Sequence, residues 1–170
     1  MQGNDVFCTH LEHWRGNGQM LYESGLAYAI LSPTPITPGH VLVVPRMHAA
    51  KMADLDEMTG KAMWDAAEDA YNALIGRFYS GREAMQGLHD FYEGLRDHPP
   101  NDLGIGERAA GCCEAMLHDP RLYIIPVGYH FGGSGKGVQL TVRDHAHAHL
   151  HPIRKDISLS QALANSPDFY

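Results

Sequence analysis

The run RDHAHAHLHPIRK, residues 143–155, places histidine at every second position: His145, His147, His149 and His151. Side chains alternate faces along a β-strand, so four imidazoles in step share one face. The alternation continues upstream. Gln139, Thr141 and Arg143 keep the histidine parity, while Leu140, Val142, Ala146, Ala148 and Leu150 take the other. The spacing predicts a long strand over Val138–Pro152 with an apolar back and a reactive front. Imidazole titrates near neutral pH, so such a row is a nucleophile, a proton shuttle or a metal site. Same-face neighbours lie about 6.7 Å apart along the backbone, close enough for two rings to converge on one ion. A metal-dependent hydrolase with three strand imidazoles as ligands is therefore one reading of the row.

The whole chain frames that strand. With 170 residues, 44% of them hydrophobic and 19% charged, it reads as a single domain spanning 1–170. A formal net charge of -7 with no Lys–Arg block argues against nucleic acid polymers and acidic membrane surfaces as partners. Three cysteines, Cys8, Cys112 and Cys113, make no disulfide framework. There is no basic start leading into an apolar core and no apolar stretch of membrane-spanning length, so a cytoplasmic protein is the expectation.

Along the chain, residues 1–19 read as polar and irregular. Met20–Ser24 and Leu26–Leu31 read as a hairpin split at Gly25, and His40–Pro45 as a buried strand. Asp54, with Glu57 three residues later, reads as the N-cap of a helix running to about Phe78. Its apolar stripe is Leu55, Met58, Ala62, Ala66, Ala70 and Leu74, with Trp64 counted in the core. Further helices are expected over Glu83–Leu95 and Glu107–Leu117, the second burying Cys112 and Cys113. Leu122–Tyr129 reads as a strand that Pro126 confines to an edge or a bulge. FGGSGKG (131–137) reads as a glycine-rich turn, and a short helix is expected near 158–164. Strands, a helical block and strands again indicate α+β with an antiparallel sheet.

His145-Ala-His147-Ala-His149-Leu resembles the signature of the histidine-triad (HIT) superfamily, His-φ-His-φ-His-φ-φ with φ apolar. TPITPGHVLVVPRMHAAKMADLDEM (34–58) is similar to a second segment of that family, and FCTH echoes a third. The resemblance spans about residues 5–75 and 120–155. It implies an antiparallel five-stranded sheet with a long helix, usually paired as a homodimer. It also implies transfer or hydrolysis at the α-phosphate of a nucleotide or nucleotide conjugate. By position, His147 is then the nucleophile that becomes nucleotidylated. His145 and His149 steer the phosphate and the leaving group, and His40 holds the triad in orientation. Gly133 and Ser134 belong to a loop whose amides can cradle phosphate.

The chain also departs from the family pattern. Thr141 stands where Gln is common, with Gln139 two residues earlier, and Arg143 faces the site as a candidate phosphate or carboxylate ligand. Ser32 replaces the acidic or amide residue that binds ribose, which leaves a non-catalytic nucleotide-binding module as another reading. Asp5 replaces the first cysteine of the relatives' Cys-x-x-Cys. That argues against a structural zinc, although Asp5, Cys8 and His48 form a degenerate candidate set. No cofactor is expected for turnover. His151 replaces the last apolar residue of the signature. The helical block over about 76–121 is enlarged, as a lid or a dimer extension would be.

Overall fold

The computed structural model describes residues 5–32, 35, 38–95, 113, 114, 117 and 145–152, and the backbone of 127–132. Two short helices, α1 (Val6–Thr9) and α2 (Leu11–Gly16), lead into a hairpin of β1 (Met20–Glu23) and β2 (Ala27–Leu31). Strand β3 (Val41–Pro45) follows, then the long helix α3 (Glu57–Phe78) and helix α4 (Arg82–Leu95). Strands β4 (Val127–Gly132) and β5 (His147–Pro152) complete a five-stranded sheet in the order β1-β2-β3-β5-β4. Every neighbouring pair is antiparallel. The strand that begins just after Pro126 lies at the sheet edge, where a residue without a backbone donor is tolerated. Among the described residues no helix is long and apolar enough to cross a membrane.

Register assigns each side chain to a face. Val41 lies opposite Leu150, and Val43 opposite Ala148. With Ala27, Ala29 and Leu31 they form the face that packs on Met63, Ala66, Ala70, Leu74 and Phe78 of α3 and on Met85, Leu88 and Tyr92 of α4. Leu42 lies opposite His149, which puts the histidines on the other face. There Tyr28, Ile30, Leu42 and Val44 are covered by Phe7 of α1 and Trp14 of α2.

Several expectations are corrected. Residues 6–16 are helical, and the two helices cap a second core through Phe7 and Trp14. They carry four and six residues, too few for helical periodicity to register in the sequence. Asp56, not Asp54, caps α3, because its carboxylate accepts from the Thr59 N–H at 2.7 Å. Asp54 closes a 3₁₀ turn, its own N–H donating to the Lys51 carbonyl. The buried stripe of α3 runs through Thr59, Met63, Ala66, Ala67, Ala70, Leu74 and Phe78, while Met58 and Trp64 face outward at 69% and 57% exposure. Cys113 is buried, as expected. Strand β5 begins at His147 rather than continuing through His145, and β4 takes in Phe131 and Gly132, which the glycine-rich run had assigned to a turn. The expected strand residues 122–126 and 138–144, the rest of the glycine-rich turn, the remainder of the third helix with Cys112, and the helix near 158–164 lie outside the described residues.

Candidate active site

Antiparallel pairing of β3 with β5 brings the His40 segment beside the histidine row. His40 follows Gly39, whose φ of +78° is a left-handed backbone conformation that L side chains avoid. A Cβ there would also stand 3.1 Å from Leu74 Cδ1 and 3.3 Å from Pro152 Cγ. Two tyrosines fix this turn from the helical side. The Gly39 N–H donates to the Tyr92 hydroxyl at 2.6 Å, and the Tyr79 hydroxyl donates to the Pro38 carbonyl at 2.9 Å. Ser32 is fully buried, and its N–H donates to the His40 carbonyl at 2.8 Å. The segment beyond Gly76 is therefore no detached lid in its described part: α4 joins the core and holds the turn that delivers His40.

All four row histidines and His40 are buried, at 6% exposure or less. His147 and His149 rings lie 4.8 Å apart, and His149 and His151 stack at 5.7 Å with planes 9° apart. His147, His149 and His151 thus share the face read from the alternation, while His145 stands in a bend just before β5. Only a protonated ring nitrogen can donate to a carbonyl, so the 2.7 Å contact from His147 Nδ1 to the His145 carbonyl places the proton on Nδ1. Nε2 is then the ring nitrogen that keeps its lone pair. His40 Nε2 and His149 Nδ1 meet at 2.8 Å, which fixes both rings. Phe7 packs edge-on against His147 at 5.2 Å and His145 at 5.5 Å.

His145 departs from its expected role of steering phosphate. Its Nε2–H donates to the Pro45 carbonyl at 2.9 Å, and its Nδ1 lies 3.1 Å from Asp5 Oδ2 and 3.7 Å from Cys8 Sγ. One ring nitrogen is thus committed to the end of β3 and the other to the N-terminal segment, while the His145 backbone carbonyl accepts from His147. Asp5 Oδ2 is also 2.8 Å from His48 Nδ1 and 3.3 Å from Cys8 Sγ. Burial raises the Asp5 carboxyl, but the hydrogen bond and charge of His145 and the bonds from Cys8 outweigh it and hold the group at about 2. The candidate set of Asp5, Cys8 and His48 thus gains His145 as a fourth donor. Ligand atoms of a tetrahedral zinc lie roughly 3.3–3.8 Å from one another, and these contacts approximate that shell. His145 also gives its second nitrogen to a carbonyl, the usual outer partner of a metal-bound imidazole. The four residues fit a structural zinc-class ion.

Sequence reasoning missed Phe7, Tyr79 and Tyr92. Phe7 lies in the FCTH echo, but nothing in its spacing announces contact with a strand far along the chain. Gln139, Thr141, Arg143, Gly133 and Ser134 lie outside the described residues.

A five-stranded antiparallel sheet, a long helix on one face and a histidine row on the other define a class, and comparison with known proteins supplies the family. The model of the HIT domain matches residues 16–125, and the chain belongs to the HIT family. The histidine row itself lies beyond that span. A HIT-like protein of Saccharolobus solfataricus is 40% identical over 52 residues, covering 31% of this chain and 37% of that protein. The adenosine 5'-monophosphoramidase of Schizosaccharomyces pombe is 31% identical over 94 residues, covering 51% of this chain and 68% of that protein. The crystal structure of a HIT family protein from Bacillus anthracis superposes with a TM-score of 0.54 at 16% identity, covering 95% of this chain and 79% of that one. This likeness carries the fold.

Proposed function

We propose that this protein is a nucleotidyl hydrolase or transferase working at the α-phosphate of a nucleotide conjugate through a covalent nucleotidyl-histidine at His147. The observation that carries the reading is the 2.7 Å bond from His147 Nδ1 to the His145 carbonyl. It sets the tautomer that leaves Nε2 for attack, and imidazole is a competent nucleophile at neutral pH. Nε2 forms a bond to the α-phosphorus as the bond to the leaving group breaks. His149, oriented by His40, supplies a proton to the departing atom. Water then attacks the phosphorus and gives its proton back to His149, the P–N bond breaks, and the nucleoside monophosphate leaves with His147 and His149 both restored. Two in-line displacements give retention at phosphorus.

The phosphoramidase named among the relatives supports a P–N conjugate as substrate, with an amine leaving group that His149 protonates. Dinucleoside polyphosphates share the same α-phosphate chemistry. Ser32 offers a ribose diol a weaker acceptor than a carboxylate, which relaxes selection at the sugar. A zinc-class ion on Asp5, Cys8, His48 and His145 would serve as a structural clamp on α1. The family habit of pairing extends the reading to a homodimer, which light scattering tests. The deciding experiment mixes the protein with adenosine phosphoramidate and diadenosine polyphosphate, quenches early and maps adducts by mass spectrometry. An acid-labile adenylyl group on His147 is expected. Turnover with no adduct on any histidine overturns the mechanism, and affinity without turnover leaves a binding module.

A further inference from the structure

The His151 ring has no part in the proposed reaction and, unlike the His145 ring, does not belong to the Asp5 cluster. It occupies a position where the family signature carries an apolar residue, yet it is fully buried in the site. Its ring centroid lies 4.3 Å from that of His40 and 5.7 Å from that of His149. One ring nitrogen of each of these three residues lies within 4.8 Å of the others. Two of the rings come from alternate positions of β5, and the third is delivered by the turn before β3.

We infer that His40, His149 and His151 form a second site, for a divalent transition ion of the zinc class, whose occupation arrests the enzyme. Three neutral imidazoles with a position left for water are the ligand set of many zinc sites, and an all-nitrogen set selects zinc, copper or nickel over magnesium or calcium. Burial fixes the three rings, so little side-chain freedom is lost on binding. The set is wider than a closed shell, in which nitrogens lie about 3.3 Å apart, so it closes by small ring rotations. That makes it a weaker and more readily reversed site than the Asp5 cluster. His40 and His149 face each other, Nε2 to Nδ1 at 2.8 Å, with a hydrogen between them. When an ion takes both facing nitrogens, that hydrogen moves to the other nitrogen of its own ring. The pair exchanges one hydrogen bond for two metal bonds and releases no proton. With both facing nitrogens held by the ion, neither ring can take up a second proton, so the pair can no longer form the imidazolium that protonates a leaving group. This arrest rests on the proposed reaction; ion binding does not.

Cobalt(II) titration of chelator-treated protein separates the two sites, because only the Asp5 cluster contains a thiolate. Cobalt there produces a sulfur-to-metal charge-transfer band, whereas cobalt on three imidazoles produces d–d absorption alone. The wild type is expected to show a thiolate-free binding phase. His151→Leu, which restores an apolar residue of the family type, is expected to lose that phase while retaining metal-free turnover. Zinc inhibition of His151→Leu should weaken by more than the roughly 10–100-fold that loss of an outer-shell partner costs. His151→Gln repeats the test with a polar side chain, and thermal melting establishes that each variant is folded. No thiolate-free phase in the wild type, or the same phase in both folded variants, overturns the site. Loss of the phase with no turnover in any form leaves the site standing and sinks the catalytic reading.

Discussion

His145 and His151 sit at opposite ends of one row, the first in the bend before β5 and the second near its end, equally buried yet in different company. At the His145 end the neighbours are a carboxylate, a thiol and His48, all delivered by segments far away in the chain. At the His151 end they are two further imidazoles. Between them His147 bonds to neither cluster through Nδ1; that N–H donates to the His145 backbone carbonyl. Strand period fixes which way a side chain points; the elements packed over it decide which partners its ring nitrogens meet.

The largest difference along the row should appear on removing the centre. His147→Ala is expected to lower kcat on the order of 10⁴-fold or more, the scale of losing a nucleophile, with melting temperature little changed. His145→Ala should act in the opposite proportion, loosening α1 and lowering stability more than it lowers kcat. Steady-state kinetics beside thermal melts checks both, and equal losses in the two columns would erase the distinction drawn between the two residues. Next in size is Gly39→Ala. A methyl group at φ +78°, pressed toward Leu74 and Pro152, should cost up to about 3 kcal/mol and displace His40 from His149. Urea unfolding measures the first effect, and the kcat of the folded fraction the second.

The histidine face was legible because a period of two with apolar residues in the gaps has one regular solution, and β5 adopts it. The approach of His40 to the histidine row was legible through the resemblance of the Pro-Gly-His segment, but its partner there, His149, was not. The cap of α3 was missed by two residues because Asp54 and Asp56 both suit the position, and only the reach of a carboxylate to the Thr59 N–H distinguishes them. Trp64 was misplaced for a related reason: several rotations of an alanine-rich helix look alike, and the choice of buried side falls to the sheet. The Asp5 cluster was half legible. Asp5, Cys8 and His48 stood out by type, but the fourth donor, His145, lies 140 positions from Asp5 and only folding brings it there.

A smaller effect tests the His145 end through pH. The Asp5 carboxyl is held at about 2 against an ordinary value of 3.8, so the folded state binds its proton less readily than the unfolded chain does. The stability it contributes is therefore complete above about pH 3.8 and drains away as pH falls toward about 2. Asp5→Asn in chelator-treated protein should melt lower near neutrality, by about 1–2 kcal/mol, or roughly 2–8 °C at this chain length. It should also flatten the acid limb that the wild type shows. An unchanged limb would mean that Asp5 is solvated rather than engaged by His145 and Cys8.

The smallest expected effect bears on the His40 side and on the purpose of the enlarged helical block. Tyr92→Phe removes only the hydroxyl that accepts from the Gly39 N–H, leaving the packing of α4 intact. A buried donor without its acceptor costs about 1–2 kcal/mol. If α4 serves merely as added core, stability should fall by that amount and kinetics should not move. If it positions His40, kcat should fall several-fold with KM nearly unchanged, because the ring oriented by His40 acts in the transition state more than in ground-state binding. Tyr79→Phe, which removes the donor to the Pro38 carbonyl one residue earlier, should show the same kinetic direction with a smaller loss, since a carbonyl finds another donor or water more easily than an N–H finds an acceptor. A kcat effect in both variants, graded in that order, ties the segment after Gly76 to catalysis through the turn at Gly39.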